Sequence, residues 1–179
     1  MARVPVPAEI PGIAAFFKFR PETGLPLCQL AEALLRGPSP LSSGERELIA
    51  AVVSTGNQCI FCARSHGAAA SAHLGDEAMV QKACADPSSA AVSEKMKSLL
   101  ALALKVREGG RAVSDVDVAQ ARAAGANDIE IHDAVLIAAA FCMFNRYVDA
   151  LQALTPDDPA VYREMGKAMA FQGYLRARD

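Results

Sequence analysis

An all-α fold is the prediction for this 179-residue chain, and three observations make it. Hydrophobic residues are 52% of the sequence, much of it alanine, with no tryptophan. Alanine suits close helix packing, and β-branched residues occur only in short runs, which favours helix over sheet. Capping residues precede apolar segments of helical length, and glycine or proline follows them, while no segment alternates as a half-buried strand does. The length fits one domain with a real core, or two fused small halves.

Residues 1–20 read as an extended N-terminal arm with an apolar patch at Phe16, Phe17 and Phe19. Such an arm packs on its own domain or wraps a partner subunit. Residues 21–179 form the helical domain. Thr23-Gly24 reads as a turn, and Pro26 suits the first turn of a helix that runs to Leu35 and ends at Gly37, Pro38 and Pro40. Ser42 and Glu45 have capping-box spacing, and a helix follows to Ser54. Thr55-Gly56-Asn57 is a break, with Asn57 placed to cap a helix carrying Cys59 to Leu74 and stopping at Gly75. A short segment follows from Asp76 to Ala85, then a helix from Ser89 to Glu108 closed by Gly109-Gly110. Ser114 caps a short helix ending at Gly125. Asn127 caps a long one, Asp128 to Leu154, and Pro156 and Pro159 open the last, which reaches Gly173. Short loops between such helices give a compact multi-helix domain.

Several classes are disfavoured. The net charge of −2 offers no footprint for nucleic acid. No apolar run approaches the roughly 20 residues that span a bilayer. The longest, Ala134 to Phe144, reads as a buried helix, so no membrane partner is expected. Pro5 and Pro7 interrupt any signal-peptide core, and a cytoplasmic location is the default expectation. Five cysteines in such a chain point to catalytic, metal-binding or buried thiols ahead of a disulfide scaffold.

The sharpest chemical signal is Cys59-Ile60-Phe61-Cys62-Ala63-Arg64-Ser65-His66. Cysteines three apart on the first turns of a helix are neighbours, and a disulfide closes between them with little motion. Free N–H groups and the dipole at a helix N-terminus favour a thiolate. His66, four residues after Cys62, lies one turn along on the same face, where it can exchange a proton with a thiol. Glu47 lies twelve residues before Cys59. On one unbroken helix that is about 18 Å, too far to share a proton. If the break at Thr55 to Asn57 folds the two helices into a hairpin, Glu47 faces residues near His66, and a Glu47–His66–thiol relay follows.

The pattern Glu-x11-Cys-x2-Cys-x3-His, met at Glu47, Cys59, Cys62 and His66, resembles the active-site motif of the AhpD-like alkylhydroperoxidases of the carboxymuconolactone decarboxylase superfamily. The Cys59-Ile60-Phe61-Cys62 form, the arm before it and the stretch Phe144-Asn145-Arg146-Tyr147-Val148-Asp149-Ala150 are similar to the peroxidase-related branch. The resemblance covers residues 10–173. It implies an all-α fold, peroxide reduction by a cysteine pair and homo-oligomers, often trimers or hexamers. It also implies a peroxide substrate, a thiol reductant or reductase protein as partner, and neither cofactor nor metal. Carried over by position, Cys62 attacks the peroxide and passes through a sulfenic acid, Cys59 closes the disulfide, and Glu47 and His66 form the relay. The best-known members carry a histidine just before the second cysteine. Phe61 stands there instead, which removes one proton carrier and leaves rate and substrate open. The decarboxylase branch lacks the cysteine pair.

Other readings of these residues stand beside that one. The pair also suits thiol–disulfide exchange with a partner protein, or a non-catalytic redox-sensing oligomer. A zinc clip would draw on Cys59, Cys62, His66 and Glu47, although helical spacing differs from knuckle geometry. Covalent haem attachment fails because Ala63, not histidine, follows Cys62. Glu130-x11-Cys142-x2-Asn145-x3-Asp149 repeats the motif's spacing, either as a decayed internal duplication or as coincidence within two apolar helices. Asn145, Arg146 and Asp149 read as a polar network inside an apolar helix, Arg64 as a surface residue, and Cys28 and Cys84 as buried or incidental. His73 falls near a helix end, where positive charge is favourable, and His132 reads as an interface or core residue.

Overall fold

The computed structural model describes residues 2–175, which form nine α-helices and two short 3-10 turns with no strand among them. The helices are α1 Ile13–Phe19, α2 Pro21–Arg36, α3 Ser43–Gly56, α4 Ile60–Leu74, α5 Glu77–Ala85, α6 Glu94–Glu108, α7 Asp115–Ala123, α8 Asp128–Ala150 and α9 Pro159–Gln172. Side-chain caps fix where most of them begin. Ser42 with Glu45, Ser114 with Asp117 and Asn127 with Glu130 form reciprocal capping boxes. Asp76, Ser93 and Asp158 each cap with one side-chain oxygen.

The centre is α3. Every residue from Arg46 to Ser54 is buried, because α2, α4, α5, α6 and α8 surround it. Its buried Arg46 donates to the Leu34 and Gly37 carbonyls and so ties α3 to the end of α2. Leu48, Ile49, Val53, Leu99, Leu100, Ile137 and Phe141 belong to the main core. A smaller apolar cluster joins Cys59, Phe61 and Cys62 to Val148 and Tyr162. α8 is long and apolar enough by composition to cross a membrane, yet half of that apolar window is buried inside the protein. It is a core helix, as its sequence suggests.

Several boundaries differ from the sequence reading. Residues 13–19 are helical where an extended arm is expected, because Phe16 is buried with its ring 5.2 Å from that of Tyr147. α2 starts at Pro21, so Thr23 and Gly24 are its first-turn residues, both donating to Arg20 O, and Pro26 lies inside it. The segment from Ser89 is not yet α6, which waits for the Ser93 cap. α8 stops at Ala150, and Gln152 turns the chain with φ 53°. α9 opens at Asp158-Pro159, not Pro156.

Candidate active site

The connection between α3 and α4 decides the geometry. α3 ends at Gly56, Gln58 takes a left-handed backbone with φ 61°, and the Cys59 N–H donates to Ser54 O at 3.0 Å. Cys59 itself is the N-cap of α4. Asn57 does not cap α4. Its amide donates to Asn145 Oδ1 at 2.8 Å, and the Asn145 amide donates in turn to Ser54 Oγ at 3.0 Å. This buried amide–hydroxyl chain holds the reversal against α8.

With the chain folded back, Glu47 Oε2 meets His66 Nδ1 at 2.7 Å. Glu47 is fully buried, and a buried carboxylate needs partners. Its Oε1 accepts from Arg36 Nη2 and from the Tyr174 hydroxyl, each at 2.5 Å. Burial pushes the Glu47 carboxyl up, but the charge and hydrogen bond of His66, the Arg36 charge and the Tyr174 hydroxyl outweigh it and hold the group below its ordinary value. The same contact, with burial the largest cause, pushes the Tyr174 phenol well above its ordinary value. Tyr174 reaches the site through Gly173, whose φ of 72° turns the chain after α9. A Cβ there would lie 2.6 Å from Glu32 Oε2, the oxygen that accepts the Tyr174 N–H at 2.6 Å. Around His66, the Tyr174 ring lies near-parallel at 6.2 Å and the Phe141 ring stands edge-on at 4.5 Å. A carboxylate on Nδ1 fixes the ring and leaves Nε2 to exchange protons.

The second half of the site is the thiol pair. Cys59 is 0% exposed and Cys62 4%, and all five cysteines are free. Cys62 lies in the first turn of α4, where backbone N–H groups lack intrahelical acceptors. The neighbouring Cys62 sulfur, burial and the Asp149 carboxylate together push the Cys59 thiol up, so its proton stays on. Phe61 is buried beneath the arm: Gly12, with φ 63°, rests on its ring, and a Cβ at Gly12 would collide with it. Tyr162 lies on its other side with ring centroids 6.0 Å apart.

Thus Glu47 meets His66, and Cys59 meets Cys62. No hydrogen bond among the described residues joins one couple to the other; they are linked by the one-turn spacing of Cys62 and His66 on α4. The four side chains form no metal-holding group among the described residues, since Glu47 is taken up by Arg36, Tyr174 and His66.

Other residues fall differently from their sequence reading. Glu130, in the first turn of α8, completes the capping box with Asn127 and pairs with Lys95 at 2.6 Å. Like Glu45 it closes a capping box, and α8 runs unbroken through Cys142 and Asp149 where the first motif has its reversal. Asn145 is buried and hydrogen-bonded, but Arg146 and Asp149 are exposed and outside its network; Arg146 donates to Cys142 O. His132 is exposed beside Asp133, so it is not a core residue. For His73, burial and the Arg36 charge disfavour the protonated form, whatever its helix-end position offers. Arg64 is a surface residue, its guanidinium 5.5 Å from the Tyr162 ring centre. Cys28 and Cys84 are half-buried, and burial pushes both thiols up. Arg36 and Tyr174 are absent from the sequence reading. Arg36 in the last turn of α2 carries only a helix-end charge signal, and Tyr174 none beyond the Gly173 stop.

The chain belongs to the carboxymuconolactone decarboxylase family: the family model matches residues 21–90 and again 77–156. Two matches in tandem are what an internal helical duplication would leave. Among solved structures, the chain is similar to an uncharacterized peroxidase-related protein from Ralstonia eutropha JMP134 described as an alkylhydroperoxidase AhpD core. The TM-score is 0.79 at 25% identity, over 88% of this chain and 82% of that one. An uncharacterized peroxidase-related protein from Silicibacter sp. TM1040 aligns with a TM-score of 0.78 and 28% identity, over 86% and 79%. No curated protein matches the chain.

Proposed function

We propose that this protein is a thiol-dependent peroxidase that reduces hydroperoxides through Cys62 and Cys59. The observation that carries the reading is the 2.7 Å contact between Glu47 and His66, one helical turn from a paired-cysteine helix start. The Cys62 thiolate attacks the terminal peroxide oxygen, the O–O bond breaks, and the leaving alkoxide takes a proton delivered through His66. Cys62 is left as a sulfenic acid. Cys59 then attacks that sulfur, water departs, and a thiol reductant or reductase protein returns the disulfide to two thiols. The division of labour is supported by Cys59, whose proton is held by its surroundings, as suits the cysteine that acts second. Glu47 keeps the imidazole oriented and balances its charge when protonated, while Arg36 and Tyr174 keep Glu47 ionised. We also propose a cytoplasmic setting, where free thiols persist, and assembly into homo-oligomers.

Peroxide consumption by Cys62→Ser tests the assignment. Loss of turnover with either hydrogen peroxide or an organic hydroperoxide is expected. Undiminished consumption removes Cys62 as the nucleophile. Turnover only with protein or low-molecular-weight disulfides, and with no peroxide, replaces the reading by thiol–disulfide exchange.

A further inference from the structure

α8 is apolar on two faces. Ile131, Ala134, Ile137 and Phe141 form its inner face and pack in the core. On the outer face Ile129, Leu136, Met143 and Ala150 recur every seven residues, with His132, Ala139 and Arg146 between them. Together with Asp128 and Asp149 near the ends, these are all the exposed residues of α8. Alternating steps of three and four are the a and d positions of a heptad, the seam of a helix pair. Ile129 is 58% exposed, Leu136 39% and Met143 43%. Single exposed apolar residues are ordinary, but a row of them along about 31 Å of one helix marks an interaction surface.

Charge decides what covers the row. His132 and Arg146 lie within it, and hydrocarbon offers them no partner, so a lipid cover is disfavoured. A second copy of α8 running antiparallel supplies one. Arg146, near the C-terminal end, donates to Cys142 O and has no carboxylate partner among the described residues. Asp128 opens the N-terminal end, where Arg122 bonds its Oδ1 alone and leaves Oδ2 open. In an antiparallel pair an a residue faces a d residue. The layers are then Ile129 with the partner's Arg146, His132 with the partner's Met143, and Leu136 with the partner's Ala139, each made twice about a two-fold axis. Arg146 lays its aliphatic stem on the partner's Ile129 and brings its charge beside the partner's Asp128. A parallel pair would set Arg146 against the partner's Arg146.

We propose that the outer seam of α8 is a subunit interface, paired antiparallel with α8 of a second copy of this chain. The inference rests on the proposed homo-oligomer and is independent of the peroxide chemistry.

Sedimentation velocity of the reduced full-length chain at micromolar concentration tests it. Leu136→Glu is expected to halve the particle mass with helix content unchanged by circular dichroism. Ala139→Arg, which removes no large side chain, gives the same readout should Leu136→Glu fail to fold. Arg146→Asp is expected to weaken association at least tenfold, and the double variant Arg146→Asp/Asp128→Arg to recover most of it. A folded Leu136→Glu or Ala139→Arg chain with the wild-type mass overturns α8 as the interface and leaves the oligomer standing. A double variant no tighter than Arg146→Asp overturns the antiparallel pairing. A wild-type monomer removes both the oligomer and its interface, and one that floats with phosphatidylcholine vesicles, but not as Leu136→Glu, replaces the second copy by a membrane surface.

Discussion

At the scale of the residue, the site is organised around one buried carboxylate. Glu47 has no solvent contact, and each of its three partners supplies something distinct: Arg36 a charge, Tyr174 a neutral donor, His66 an imidazole nitrogen, which we propose carries the proton. Glu47→Gln keeps the shape and removes the charge. It is expected to lower the rate of peroxide reduction about 100-fold or more, the scale of lost acid–base assistance. Stopped-flow oxidation of Cys62 checks this, and a rate within threefold of wild type would contradict it. Tyr174→Phe removes one donor from a charged acceptor and should cost about 1–3 kcal/mol in a urea titration. The pH dependence has a definite sign. The folded Glu47 carboxyl sits below its unfolded value, so its contribution to stability is complete above the unfolded value of about 4.3 and is lost as pH falls through the depressed folded one. Tyr174 and Cys59 are raised, so their contributions hold at neutral pH and are lost as pH rises past their unfolded values, the thiol first. Urea midpoints should therefore fall at both ends of the range, and Glu47→Gln should flatten the acid limb and, by removing a charge that raises Tyr174, soften the alkaline limb as well.

At the scale of the element, the reversal between α3 and α4 and the arm over Phe61 shape the site. Asn145→Ala leaves the Ser54 hydroxyl and Asn57 amide without their buried partner, and a loss of about 1–3 kcal/mol is expected by urea unfolding. Gly12→Ala brings a Cβ onto the Phe61 ring at a positive φ that only glycine adopts readily. The arm should lift, and alkylation of Cys62 by a small thiol reagent should speed up; unchanged labelling would show that the arm does not seal the pair. These elements were partly legible in the sequence. Ser42-Glu45, Ser114 and Asn127 announced their helices because caps are local. The break at Thr55 to Asn57 announced the hairpin, and with it the Glu47–His66 contact. α1 was not legible, since seven residues hold too little periodicity and its helix is secured by Phe16 against Tyr147, far along the chain. Arg36 and Tyr174 were missed for the same reason: each reaches Glu47 through tertiary packing, and neither has a spacing relation to it. The repeated spacing at Glu130 left duplication and coincidence open, and the two tandem family matches favour duplication, with Glu130 in a capping box and α8 continuing where α3 is followed by a reversal.

At the scale of the whole molecule, two structural couples come from different parts of the chain. Glu47–His66 is built by the α3–α4 hairpin and closed by the residues after α9, while Cys59–Cys62 is roofed by the arm and the end of α8. The proposed assembly belongs to this scale too. Analytical ultracentrifugation of the reduced protein is expected to give more than one chain per particle, and a monomer at micromolar concentration would contradict it. The central claim, that Cys59 and Cys62 act as one redox couple toward peroxide, is tested most directly by counting thiols. Native protein with five free cysteines is treated with one equivalent of hydroperoxide, and the remaining thiols are titrated and mapped. Loss of two thiols, both mapped to Cys59 and Cys62, is the predicted result; five thiols remaining, or losses at Cys28 and Cys84 instead, would contradict it.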